Sequence, residues 1–319
     1  MNKYKKIGLT ALAGSLVATS AYAGEMSVSG SAKATYTDKE TGTTTGSPFG
    51  MNKLLSFNGS GDLDNGHAIS VYFGNNGTSQ SSASMTYNMG DMGSLTLDNG
   101  VGGHGLGSVD DKTPTAAEEI WDNISHGTGH DGFRVGIGNA GALAYSNTVG
   151  GITISADYVR QGGGSVEDGS TGAAGKGTGQ SVALTMSPAD GVSIGYATGA
   201  AGTANAGVDS DQQTAFVTYA AGPVTLGYQM AEENTNETAD WETTQWGISF
   251  NVNDSMSLSY GERTVDMSDK TTDQEDKGIA VSYTMGSISL SANMNESNDH
   301  LGASGTNKET TEIALSFAF

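Results

Sequence analysis

The chain has 319 residues, with 14 Lys and Arg against 35 Asp and Glu and a net charge of −21. That acidity excludes a protein that seeks nucleic-acid phosphates, and the lack of cysteine excludes a disulfide-stapled fold. Charged residues at 15% are scarce beside the roughly 25% of soluble domains, while 48 glycines and 4 prolines describe strands and turns.

The first residues read MNKYKKIGLTALAGSLVATSAYAG. Lys3, Lys5 and Lys6 precede an apolar stretch from Ile7 to Ala18, and Ala21-Tyr22-Ala23 supplies a small-x-small cleavage site. Residues 1–23 are therefore expected to be a secretory signal peptide, leaving 24–319 as the mature domain. Its removal takes three lysines and no acid, so the net charge moves from −21 to −24. After residue 23 no run approaches the roughly 20 apolar residues of a membrane helix, so any crossing of a bilayer must be made by strands.

From residue 26 a period-two pattern recurs. Strands are predicted near 26–37, 53–62, 67–73, 82–89, 93–99, 141–147, 152–160, 180–187, 192–198, 212–220, 224–231, 243–251, 256–264, 278–285, 288–295 and 310–319, sixteen in all. Short connections of turn chemistry, such as TVGG (148–151), PADG (188–191) and GS (286–287), alternate with long ones rich in Gly, Thr, Asn, Asp and Glu. With both termini on the tight-turn side, the sheet can close with its first strand beside its sixteenth.

One face of each strand is apolar, as in Ile279, Val281, Tyr283 and Met285, or Ile313, Leu315 and Phe317. The other carries Ser, Thr, Gly, Ala, Asn and Gln, with charge confined to the connections. A soluble sandwich would bury the first face and send charge into water from the second. An apolar exterior around a wet lumen fits better, and closure leaves no unpaired backbone in lipid. The predicted fold is all-β: a closed sixteen-stranded antiparallel transmembrane β-barrel, wide enough for a water-filled channel.

The connection at about 100–140 is far longer than the others, and loops of that length are usually functional. Within it TPTAAEEIWDNI (113–124) has helix chemistry: Thr115 and Glu118 have capping-box spacing, and Ala117, Ile120, Trp121 and Ile124 share a face. This helix is expected to fold inside the barrel as a constriction, presenting Glu118, Glu119 and Asp122 to the lumen with Asp110 and Asp111 nearby. The alternative is an external helix against a neighbouring subunit.

The mature chain holds three arginines, Arg134, Arg160 and Arg263. Arg263 shares the lumen parity of Ser257 and Ser259, and Lys33 that of Ser27, Ser29 and Ser31; Asp157 also points inward. Basic wall residues opposite an acidic loop would set a transverse field across the narrowest section.

Several of these stretches resemble the Gram-negative general porins, in particular the alphaproteobacterial ones. VSGSAKATY (28–36) is similar to the family's first strand, with Lys33 where a basic wall residue is common. GFRVGIGNAGALAYSNTVGGITISADYV (132–159) resembles the exit from the third loop and the strands that follow, with Arg134 matching an arginine of the constriction cluster. The terminal IALSFAF ends on Phe319, matching the phenylalanine by which such chains are recognised for outer-membrane assembly. The resemblance implies a homotrimer in outer-membrane lipid, built by the barrel-assembly machinery, with the third loop folded into each pore. The PEFGG-like segment of enterobacterial third loops is absent.

Other signals carry less. GVSIG (191–195) spells a nucleophile elbow, but Ser193 lies within an alternating strand and no strand-to-helix turn surrounds it. DLDNG (62–66) is a tight turn lacking the later ligands of a calcium loop. His126 and His130 stand in a Gly-rich tract with no helix to bring them together. Acids in the outer connections (Glu232, Glu233, Glu237, Asp240, Glu242; Asp266, Asp269, Asp273, Glu275, Asp276) could hold calcium, though solvated loop charge explains them more simply. No cofactor and no catalytic residue are assigned. The function expected is passive diffusion of ions and small hydrophilic solutes with a cation preference; the alternatives are a substrate-selective channel or a non-conducting adhesive surface protein.

Overall fold

The computed structural model describes residues 24–40, 47–77, 80–124, 140–160, 178–202, 209–235 and 240–319. The proposed signal peptide, Arg134, His126, His130 and Glu237 lie outside them. Sixteen strands run through the described residues: β1 (Met26–Glu40), β2 (Phe49–Asp62), β3 (Ala68–Asn75), β4 (Gln80–Asn88), β5 (Ser94–Asn99), β6 (Ala140–Val149), β7 (Ile152–Arg160) and β8 (Thr178–Ala189). Then follow β9 (Val192–Gly202), β10 (Asp209–Ala221), β11 (Val224–Thr235), β12 (Trp241–Asn253), β13 (Met256–Met267), β14 (Gln274–Met285), β15 (Ile288–Asn298) and β16 (Lys308–Ala318). Each pairs antiparallel with its sequence neighbours, and β1 pairs with β16, so the sheet is a closed barrel. Closure removes the edge that an open sheet would expose.

Turn chemistry sets one rim. Between β6 and β7, Gly150 and Gly151 adopt φ of 61° and 83°, the left-handed pair of a type I′ turn, which matches the twist of the flanking strands. The opposite rim carries the long connections. At the seam, Gly30 N donates to Phe319 O at 2.7 Å and Phe319 N to Gly30 O at 2.9 Å, continuing the ladder to the last residue. The Phe319 ring lies where a Gly30 side chain would be: a Cβ there would sit 2.5 Å from it.

The pleat sorts residues as the alternation requires. Leu290, Met294 and Ile313 remain 48%, 56% and 47% exposed on the outer face, while Asn293 and Ala314 on the inner face are 3% and 2% exposed. A ring whose outer flank is apolar and whose inner flank is polar suits hydrocarbon outside and water inside.

The strands outrun their apolar patterns at the long-connection rim. β11 continues to Thr235 and β14 begins at Gln274, so Glu232, Glu233, Glu242, Asp266, Glu275 and Asp276 belong to strands, not loops. Alternation then divides them: Glu233 and Asp276 point inward and are buried, while Glu242, Asp266 and Glu275 are exposed on the outer face. The acidic tracts read from the sequence as calcium candidates are thus split across two faces, and no metal-holding group of acids and histidines occurs among the described residues. The helix predicted over 113–124 does not form; the segment makes bends and turns.

Candidate functional site

The segment leaving β5 is turned immediately by Asp98. This carboxylate, fully buried, accepts hydrogen bonds from Val101 N and Gly102 N, both at 2.7 Å, and lies 2.9 Å from His104 Nε2. From there the chain follows the inner face of the sheet, tied down by its side chains. Gly105 N donates to Ser155 Oγ (2.9 Å) on β7 and Leu106 N to Ser181 Oγ (2.8 Å) on β8. Leu106 and Val109 bury themselves against Ala183, Ala197, Phe216 and Ala231 of β8 to β11. Lys112 N donates to Gln229 Oε1 (2.7 Å), and Ala116 N to Ser259 Oγ (2.8 Å). Asn295 Nδ2 donates to the carbonyls of Glu119 (3.1 Å) and Asp122 (3.0 Å), and Thr310 Oγ1 to that of Asp122 (3.3 Å).

These bonds explain the missing helix. Backbone groups that a helix would pair internally are taken by the wall, and Asn123 at φ 61° ends any right-handed run. An isolated helix of this length is marginal in water, so wall partners outcompete it. Thr115 accordingly makes no capping box; its hydroxyl donates to Glu118 O at 2.8 Å.

Beneath the segment runs a row of glycines that the sequence reading missed. Gly227, Gly247, Gly261 and Gly278 are mutual register partners across β11, β12, β13 and β14. A Cβ on Gly227 would meet Pro114 Cδ at 2.3 Å, and one on Gly247 would meet Pro114 O at 3.0 Å. On Gly261 it would meet Trp246 O at 2.9 Å and Ile120 Cγ2 at 3.2 Å, and on Gly278 Asn295 Oδ1 at 2.3 Å and Ile120 Cα at 3.2 Å. A glycine inside a strand often marks another backbone passing close by, and four in adjacent strands were the available signal.

Two of the predicted wall bases, Lys33 and Arg263, are engaged. Lys33 Nζ forms an ion pair with Glu118 and lies 3.4 Å from Glu312 Oε1. Glu312 Oε2 also accepts from Asn123 Nδ2 (2.9 Å) and Thr37 Oγ1 (3.0 Å). Arg263 is inward, as its parity requires, but only 4% exposed; Nε and Nη2 donate to Asp276 Oδ2 at 2.8 and 2.6 Å, and Trp121 covers the guanidinium at 4.5 Å. The sequence reading set Lys33 and Arg263 across a gap from the acids. Instead Lys33 touches the acidic segment directly, and Arg263 is neutralised by Asp276, a strand residue whose position depends on the register of β13 with β14.

A family model described as Gram-negative porin matches residues 8–319. The chain belongs to the Gram-negative porins. Among solved structures, a mutant of the Rh. blastica porin superposes with a TM-score of 0.66 at 14% identity, covering 92% of this porin and 100% of that chain. An anion-selective porin from Comamonas acidovorans gives 0.64 at 13% identity, covering 92% and 99%. OmpT of Vibrio cholerae, in its trimer form, gives 0.66 at 10%, covering 93% and 100%. No curated protein matches in sequence. The porin is therefore an outer-membrane channel protein.

Its acids respond to crowding. Burial pushes the Asp111 carboxyl up, with hydrogen bonds from Thr113 Oγ1 (3.0 Å) and N (3.2 Å) pulling back. Burial likewise raises Glu119, and the neighbouring charges of Asp111 and Glu118 add to it. Asp122 is pushed up to about 6 by burial, then by Glu118 and Glu312, against the pull of Lys33. Asp110 accepts Asp111 N at 3.0 Å. Asp157 faces inward and accepts the Ser181 hydroxyl. The wall over β2 to β4 is different in kind: Asn52, Asn58, Ser60, Ser70, Tyr72, Ser84 and Thr86 present hydroxyls and amides there, with Asp62 at the turn end of β2. Neither Arg134 nor the Arg160 side chain belongs to the described part of the porin.

Proposed function

We propose that this porin is a passive, cation-preferring pore for ions and small hydrophilic solutes, narrowed by the connection that follows β5. Support for the narrowing comes from its contacts: one segment bonds to inner-face side chains of β7, β8, β11, β13, β15 and β16 and to Lys33 of β1. The cation preference rests on one observation, the pairing of the bases. Lys33 is held by Glu118 and Glu312, and Arg263 by Asp276, so on the segment Asp111, Glu119 and Asp122 still outnumber Lys112, whose charge acts on Asp111. A surplus of fixed negative charge in a confined aqueous path attracts cations and repels anions. Anion selectivity in the Comamonas relative makes the sign a property of individual side chains, not of the barrel.

A homotrimer is part of the proposal. Lys53 is exposed on the outer face of β2 between Met51 and Leu55. Lysine facing lipid costs roughly 2–4 kcal/mol at the midplane, and a neighbouring subunit over this flank would remove that cost. Phe319, fixed at the seam, is the proposed assembly signal, and no cofactor enters the mechanism. Reversal potentials of the purified protein in a planar bilayer under a salt gradient test the reading. A potential of anion-selective sign would overturn the charge assignment, and no conductance at all would overturn the channel.

A further inference from the structure

We propose that Gly227, Gly247, Gly261 and Gly278 form a side-chain-free seat whose depth sets the size limit of the pore, independently of its ion selectivity. The inference rests on the reading of the segment after β5 as the narrowing element. Four glycines aligned in register on adjacent strands leave a trough one side chain deep on the inner face. Backbone conformation does not require them, because none of the four adopts a positive φ. At Gly227 and Gly247 what requires them is occupancy, because Pro114 fills the trough there; over Gly261 and Gly278 Ile120 lies in the trough too, but a Cβ would first meet Trp246 O and Asn295 Oδ1 of the sheet.

The trough continues with polar anchors. Gly278 pairs with Asn295, and Asn295 with Thr310, the two residues that hold the carbonyls of Glu119 and Asp122. One row across the sheet therefore supplies first depth, then hydrogen bonds. A methyl added at Gly227 or Gly247 must move the segment away from the wall and toward the lumen. At Gly227 the contact of 2.3 Å must open to at least the 3.4 Å of ordinary packing, a shift of about 1.1 Å, and the neighbour is a proline ring, which cannot rotate aside. No charged group is added or removed by such a change, so solute size and ion sign are governed by different residues.

The test is Gly227→Ala, made alone and with Pro114→Ala, which removes the ring atom it strikes. Single-channel conductance and the entry of neutral polyols of graded size into protein-containing liposomes report the size limit; reversal potential reports the ion preference. The expected result is a loss of conductance and a smaller polyol cut-off in Gly227→Ala, both restored in the double variant, with reversal potential unchanged throughout. Gly247→Ala, whose contact of 3.0 Å is milder, should lose less, and it carries the test if Gly227→Ala does not fold. Wild-type conductance in the glycine variants, or a loss that Pro114→Ala does not restore, would overturn the seat while leaving the channel intact. A non-conducting wild type would instead overturn the channel reading itself.

Discussion

Replacing Lys33 by Met should strengthen cation preference, because the lysine screens the acids beside it. Its ammonium contacts Glu118, lies 3.4 Å from Glu312, and is 31% exposed, so the path is within reach of the charge it hides. An ion passing ~8 Å from one uncovered charge in a water-like medium feels about 0.5 kcal/mol. Cation and anion shift oppositely, so the cation-to-anion permeability ratio rises about fivefold without salt. A Debye length of about 10 Å trims this to about twofold. Reversal potentials at mildly alkaline pH, where Asp122 is ionised, give the ratio directly, and Glu118→Gln should move it the other way by a similar factor. An unchanged or reduced ratio in Lys33→Met would refute the placement of this cluster along the ion path.

Asp122 gives a pH dependence. Its carboxyl is raised from 3.8 to about 6, so the neutral form persists in the folded protein until pH passes that value, and its charge appears only above it. Cation preference should therefore climb through about pH 6, with Asp122→Asn flattening this rise in reversal-potential titrations. The same shift means that stability falls as pH rises between those two values, since ionising Asp122 costs more in the folded state. Arg263→Met leaves the Asp276 carboxylate buried without its counter-charge, at a cost of about 3–5 kcal/mol. Adding Asp276→Leu should return most of that in urea unfolding of the detergent-folded barrel. At the seam, Gly30→Val would strike the Phe319 ring, and slower, less complete closure is expected by the heat-modifiable mobility of the barrel on electrophoresis.

The barrel was legible because lipid imposes a strict rule on every second residue. Leu290, Ile313 and Met294 have no alternative but the outer face once their strands are paired. That rule lapses where the strands rise above the apolar band, which is why Glu232 and Glu275 read as loop: each is followed by a second acid on the opposite face, Glu233 or Asp276, so no polar alternation marks the strand. The face of Lys33 and of Arg263 could be read from parity, whereas their partners could not. Glu312 and Asp276 become neighbours of Lys33 and Arg263 only through a register between strands. The amphipathic pattern of 113–124 misled for a related reason, since a helix pattern assumes that the backbone must satisfy itself, and here Ser259, Asn295 and Thr310 do that work.

Selectivity follows from the same accounting of partners. A base in contact with an acid acts at a distance as a dipole, whose influence decays faster than that of a single charge. Arg263 with Asp276, covered by Trp121, is therefore nearly silent toward an ion in the lumen, although the sequence counts it as a positive wall residue. Lys33 is half-silent, because two carboxylates share one ammonium and a negative charge is left over. The Comamonas relative shares the barrel yet selects anions, so the sheet supplies the hole and leaves its sign open. On the proposed reading the sign in this porin comes from which acids lack a touching base, and those pairings are decided strand by strand through register.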